Sequence, residues 1–169
     1  MIITDLKTSR LKVPLKRTFI TAVRQTDFIE DISIEIITDN DVGYGSAPAT
    51  TVITGDTLSG LEFAINQAAN LLTGININDN HMIQKILLTI PSTGAKMAID
   101  MAIYDLLSKQ AKQPLWQFLG GKSNQAIKTD ISLSCGTISE VDAAMKVAMS
   151  KGFDILKIKL GSNVQDDIK

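Results

Sequence analysis

Asp154-Ile155-Leu156-Lys157-Ile158-Lys159-Leu160-Gly161 is a short, apolar, β-branched run interrupted by two lysines two residues apart. In a strand, side chains at i and i+2 leave the same face. Lys157 and Lys159 therefore point one way, and Leu156, Ile158 and Leu160 the other. Two ammonium groups crowded on one face of an apolar strand repel each other and resist burial. Such surroundings bring a lysine into the range of a general base. The same spacing also fits an edge strand guarded by two solvated lysines.

Just upstream, residues 127–134 form a strand by their pattern, with Ile127, Ile131 and Leu133 as its apolar positions. Ser139 and Glu140 open an amphipathic helix that turns Val141, Ala144, Met145 and Ala148 inward, and Gly152 ends it. Strand, helix and lysine strand make a βαβ unit, which implies a parallel sheet. The last residues, 162–169, have the pattern of a loop and the opening turn of another helix. Two parallel strands can neither close a barrel nor cover both faces of a sheet. The sequence is therefore expected to be the N-terminal part of a longer protein.

The region before residue 122 is organised differently. Residues 2–14 read as a strand stopped by Pro14, and residues 15–25, which lack a clear period, as a loop. Residues 28–38 give a second strand: Ile29, Ile32, Ile34, Ile36 and Ile37 carry the bulk of one face, Ser33 and Glu35 lie on the other. Asp39-Asn40-Asp41 is a turn cluster, and Val42-Gly43-Tyr44-Gly45 returns as a third strand in an antiparallel meander. Residues 46–56, small and hydroxyl-rich, read as a second long loop, and long loops in compact domains are often functional. Three helices follow. Leu58, Leu61, Ile65, Ala68 and Leu72 line one stripe behind a cap at Asp56 or Thr57. A short second helix runs from His81 to Ile90, with His81 read as a surface residue. A third, capped by Ser92 or Thr93, runs to about Gln110. Its apolar face, Ala95, Ala98, Ile99, Ala102, Ile103 and Leu106, is rich in alanine and suits close packing. Asp100 and Asp105 on that helix read as turn or packing partners. Residues 114–119 make one more helical turn before Gly120-Gly121.

Composition narrows the function classes. The chain has 169 residues, a net charge of −1, 44% hydrophobic and 21% charged residues. Nothing in that balance favours a nucleic acid or an anionic membrane as partner. With one cysteine, Cys135, and one histidine, His81, an internal disulfide and a Cys/His metal site are both excluded. A metal would have to be a hard cation held by carboxylates. No run reaches transmembrane length, and the N-terminus lacks a signal-peptide layout, so a cytoplasmic location is expected. Cys135 reads as a small buried residue.

The order of meander, helices and βα series resembles the enolase superfamily, in which an α+β capping domain precedes a modified TIM barrel. Ala95-Lys96-Met97-Ala98-Ile99-Asp100-Met101-Ala102-Ile103-Tyr104-Asp105-Leu106-Leu107 and Gln113-Pro114-Leu115-Trp116-Gln117-Phe118-Leu119-Gly120-Gly121 look like the helix and Leu-Gly-Gly junction of its muconate lactonizing subgroup. Lys157-Ile158-Lys159 looks like the subgroup's K-x-K motif on the second barrel strand. Thr21-Ala22-Val23-Arg24 and Val52-Ile53-Thr54-Gly55-Asp56 resemble the lid loops of epimerases acting on L-Ala-D/L-Glu dipeptides.

The resemblance implies a capping (lid) domain over residues 1–121 and an incomplete (β/α) barrel from 122 to 169. It implies that Lys159 is an acid/base lysine, with Lys157 beside it touching substrate. Ser132 would also contact substrate, and Arg24 would pair with the substrate's side carboxylate through two parallel hydrogen bonds. Thr21, Thr51, Ile53 and Thr54 would belong to the lid that excludes water. The implied reaction is epimerisation of dipeptides such as L-Ala-L-Glu, by removal and return of the α-proton through an enediolate stabilised by Mg²⁺. The metal ligands and a second lysine are expected beyond residue 169, so these residues alone are expected to be inactive. The small-molecule dipeptide is the expected partner, and assembly into a homo-oligomer is compatible with the resemblance. One departure stands out: Gly45-Ser46-Ala47 replaces the Gly-Glu-Ala often found in the subgroup and removes a carboxylate near the lid. Alternatives within the subgroup are a muconate cycloisomerase, an o-succinylbenzoate synthase or an N-acylamino acid racemase. A non-catalytic α+β binding module is the alternative of another class.

Overall fold

The computed structural model describes residues 1–122, 126–161 and 164–168. Two compact units emerge. One comprises Met1–Val13 with Ile29–Ser123, the other Pro14–Phe28 with Asn124–Lys169. Among the described residues, no helix is long and apolar enough to cross a membrane.

A three-stranded antiparallel sheet, most of it in the first unit, has the order β1 (Ile3–Thr21), β2 (Arg24–Thr38), β3 (Val42–Pro48). The expected loop at residues 15–25 is a correction: β1 continues through Pro14 to Thr21, and β2 begins at Arg24. Proline lacks an N–H to donate, yet β1 is an edge strand, where that loss is tolerated. Alternation in β2 buries Ile32, Ile34 and Ile36 completely. Ile29 is instead exposed, and Ile37 is only half-buried. The β2–β3 register pairs Ile34 with Gly45 and Ile36 with Gly43.

The second expected loop is also partly regular. Residues 46–48 extend β3, and α1 (Thr51–Thr54) is a single helical turn. Helices α2 (Leu58–Leu72), α3 (Asn80–Thr89) and α4 (Thr93–Gln110) lie close to the expected positions. The side chains of Thr57, Asp79 and Ser92 cap them by accepting from the N–H of Gly60, Met82 and Ala95. Each cap satisfies an N–H that the first helical turn leaves without a partner. The predicted stripe of α4 is buried in full.

Its alanines have a physical reason. A Cβ at Gly43 would sit 2.2 Å from the Ala102 carbonyl oxygen, and one at Gly45 would sit 2.0 Å from that of Ala98. Helix α4 therefore lies directly on the β3 backbone, which only small residues on both sides permit. Asp105 of α4 accepts from the Tyr44 N–H at 3.0 Å, and Lys109 donates to the Val42 carbonyl at 2.6 Å. These two side chains, themselves paired at 2.8 Å, satisfy main-chain groups of the edge strand β3. The turn α5 (Leu115–Phe118) closes with Tyr104 and Phe118 in an edge-to-face contact.

In the second unit, β4 (Ile131–Leu133) pairs in parallel with β5 (Leu156–Ile158), connected by α6 (Ile138–Ser150). The strand expected over residues 127–134 is shorter than its pattern suggests, and Ile127 is exposed. α6 starts one residue before Ser139, behind a complete capping box: Thr137 Oγ1 accepts from the Glu140 N–H, and Glu140 accepts from the Thr137 N–H at 2.8 Å. The turn α7 (Val164–Asp167) occupies the position of the expected next helix. Ser162, Asn163 and Lys169 lie outside the described residues.

Candidate functional site

The candidate site is built in the second unit, at the C-terminal ends of β4 and β5. The parallel register sets Ser132 opposite Lys157 and Leu133 opposite Ile158. Parallel partners share a face, so the hydroxyl and the first lysine sit side by side on the polar face. Leu133 is buried on the other. Lys159 follows the last residue of β5 and is half-buried, whereas Lys157 is exposed.

The tip of the β1–β2 hairpin joins this edge. Thr21 and Arg24 close it: Thr21 Oγ1 accepts from the Arg24 N–H and donates to the Arg24 carbonyl, both at 3.2 Å. Cys135, just past β4, holds the hairpin and the lysine strand together. Its N–H donates to the Ile20 carbonyl at 3.0 Å, and its thiol lies 3.3 Å from the Lys159 carbonyl. Gly161 has φ of 104°, and a Cβ there would stand 3.1 Å from the Cβ of Ala22. Glycine is required twice over, for the backbone angle and for the approach of the hairpin tip.

Arg24 on the hairpin, Ser132 on β4 and the pair Lys157 and Lys159, on and just after β5, are thus carried by three segments that meet. Among the described residues, none of these cationic groups has a hydrogen bond or ion pair from its charged end. Three uncommitted cations beside a hydroxyl form a setting for an anionic ligand. Thr21, Ser132, Arg24, Lys157 and Lys159 are brought together in one unit. Thr51, Ile53 and Thr54 belong to the other, on α1, where Val52 and Ile53 are exposed. Among the described residues, no three His, Cys, Asp or Glu side chains gather where they could hold a metal ion.

Sequence reasoning misses what positions these groups. It marks Cys135 only as a small buried residue, which it is, at 5% exposure. Its bridging depends on which carbonyls face it, and no local pattern encodes that. The Ala22–Gly161 approach has a faint signal in two small residues, one in a turn and one directly after a strand.

A three-stranded antiparallel sheet with helices, followed by a parallel two-stranded sheet, matches the N-terminal capping domain of enolase-superfamily structures. Residues 3–120 match the mandelate racemase / muconate lactonizing enzyme N-terminal domain, and the chain belongs to that family. It is 42% identical, over 99% of its length, to an L-amino acid-D/L-Glu epimerase of Francisella philomiragia, and covers 48% of that protein. Among solved structures, it is similar to the substrate-liganded L-Ala-D/L-Glu epimerase of Bacillus subtilis, with a TM-score of 0.93 and 33% identity. That match covers 99% of this chain and 48% of the other. A dipeptide epimerase of Enterococcus faecalis, solved with Mg and the dipeptide L-Leu-L-Tyr, matches with a TM-score of 0.89 and 33% identity, over 99% of this chain and 48% of that one. The chain spans about half the length of the relatives it matches.

Proposed function

We propose that the polypeptide carrying this chain is a dipeptide epimerase that inverts the α-carbon of the acidic residue in dipeptides such as L-Ala-L-Glu. The observation that supports this reading is the convergence of Ser132 with Arg24, Lys157 and Lys159, whose charged ends have no partner among the described residues, at one strand edge. Arg24 would donate to the side carboxylate of the substrate, since a planar guanidinium matches a carboxylate through two hydrogen bonds. Lys157 and Ser132 would hold the terminal carboxylate next to the reacting carbon. Lys159 would remove the α-proton, and the product forms when a proton returns to the opposite face. Residues 1–121 act in this reading as the lid domain and residues 122–169 as the first part of a (β/α) barrel. Magnesium and the second acid/base lysine belong to residues outside these 169, and nothing in this chain is assigned to them.

The test is exchange of the α-proton of L-Ala-L-Glu in D₂O with Mg²⁺, followed by NMR on the full-length polypeptide. Exchange that is lost by a factor of about 10² or more in Lys159→Ala supports the reading. A folded, metal-loaded protein without exchange discards it.

A further inference from the structure

We infer that Asp56 and Ser92 form a clamp that positions the lid turn α1 for substrate, a role that rests on the lid assignment made above. The turn is weakly held by its own contacts. It buries none of its residues, and its N-cap, Thr50, makes no side-chain capping bond. Local bonds close it on itself: Thr51 Oγ1 donates to the Asp56 carbonyl at 2.9 Å, Thr54 Oγ1 to the Thr50 carbonyl at 3.2 Å, and Gly55 N–H to the Thr51 carbonyl at 3.0 Å. These bonds shape the turn without fixing where it stands.

Asp56 supplies the missing attachment. Ser92 Oγ donates to Asp56 Oδ1 at 2.8 Å. The same Ser92 oxygen accepts from the Ala95 N–H at 3.1 Å, as the cap of α4. A serine hydroxyl has one proton, and here it is directed to the carboxylate because the backbone N–H occupies an acceptor position. A Cβ at Gly94 would stand 3.0 Å from Asp56 Oδ2, so the bare glycine leaves the carboxylate room against the first turn of α4. The negative charge also suits the N-terminal end of an 18-residue helix. That helix is seated on β3 through Ala98 and Ala102 and is a rigid support. The C-terminal end of the lid is thereby fixed to the core, while its N-terminal approach at residues 49–50 has no comparable side-chain tie among the described residues. Asp56 is a positioning residue: it touches the lid's support, and acts through Val52 and Ile53.

The test compares Asp56→Ala with Asp56→Asn, which keeps an acceptor for the Ser92 hydroxyl. Amide ¹⁵N order parameters of residues 51–55 in the chain without substrate report on the clamp alone. In Asp56→Ala they should fall from about 0.85 to below about 0.6, with the order parameters of α4 beyond its first turn unchanged, and in Asp56→Asn they should recover most of the difference. In the full-length polypeptide, Asp56→Ala should raise KM for L-Ala-L-Glu by about tenfold with kcat altered less than about threefold. Unchanged order parameters in Asp56→Ala overturn the clamp, whatever the enzyme does. Loosened order parameters with an unchanged KM overturn its role in positioning the lid. An inactive wild type is a separate result that removes the lid assignment itself.

Discussion

Helices α4 and α6 both lie against a sheet, and both are legible from apolar spacing, yet they are held in different ways. α4 buries seven residues, from Ala95 to Ser108, with six of them the predicted apolar stripe. α6 buries Ala148 alone among its described residues, and leaves Ile138, Val147 and Met149 exposed. What α6 has instead is local: a full capping box at its start and Gly152, with φ of 87°, after its end. The first helix is specified by what it packs on, the second by its own ends. Tertiary burial stabilises a helix more than its caps do, since each cap contributes about 1 kcal/mol.

The largest effect should come from filling the space where α4 meets the sheet. A Cβ at position 45 overlaps a backbone carbonyl, not the movable end of a side chain. Gly45→Val should therefore cost more than the about 1–3 kcal/mol of ordinary overpacking. We expect loss of the cooperative thermal transition, read by circular dichroism. A melting curve within about 2 °C of wild type would mean that α4 does not rest on β3 as described. The next effect compares one substitution on both helices. Ile99→Ala empties a fully buried site and should cost about 2–5 kcal/mol. Ile138→Ala, at a half-exposed site on α6, should stay within about 0.5 kcal/mol of wild type. Equal costs in urea titrations would erase the distinction between the two helices.

The same contrast explains what the sequence could reveal. The stripes of α2 and α4, their caps narrowed to Asp56 or Thr57 and to Ser92 or Thr93, and the βαβ order all follow from spacing and from capping chemistry, which are local. The hairpin escapes such a reading because residues 15–25 show no two-residue period, and Pro14 looks like a stop. A strand edge that is not buried has no need of alternation, so the signal is absent, not hidden. Ser132, Lys157, Lys159 and Arg24 stand out through resemblance, and from spacing alone the lysines remain equally an edge device. Their meeting depends on the Cys135 bridge and the Ala22–Gly161 approach, both contacts between distant segments. Asp56 is visible only as a candidate cap, because its partner lies 36 residues away.

Two carboxylates sharpen the comparison at its smallest scale. On β2, in the unit of α4, Asp31 has a buried Oδ1 without a hydrogen-bond partner among the described residues. Burial pushes its carboxyl above the usual carboxylate range, only partly opposed by a hydrogen bond from the Ala47 backbone. At the start of α6, Glu140 is exposed, and the hydrogen bonds from the Thr137 backbone and side chain hold it below that range. The signs of their pH dependence are opposite. Asp31 favours the fold when protonated, so its contribution is complete below its unfolded value of about 3.9 and is lost as pH rises through its folded value. Glu140 favours the fold when charged, so its contribution is present above about 4.3 and is lost as pH falls through its folded value. Asp31→Asn should therefore raise Tm at pH 7, by less than either effect above, with the gain vanishing in acid as the wild-type carboxyl takes up its proton. Glu140→Gln should lower Tm at pH 7, with the loss vanishing in acid. Melting curves of both variants between pH 3 and pH 8 should bend in opposite senses against wild type. Parallel curves would show that burial in the one region and hydrogen bonding in the other do not set these two carboxylates apart.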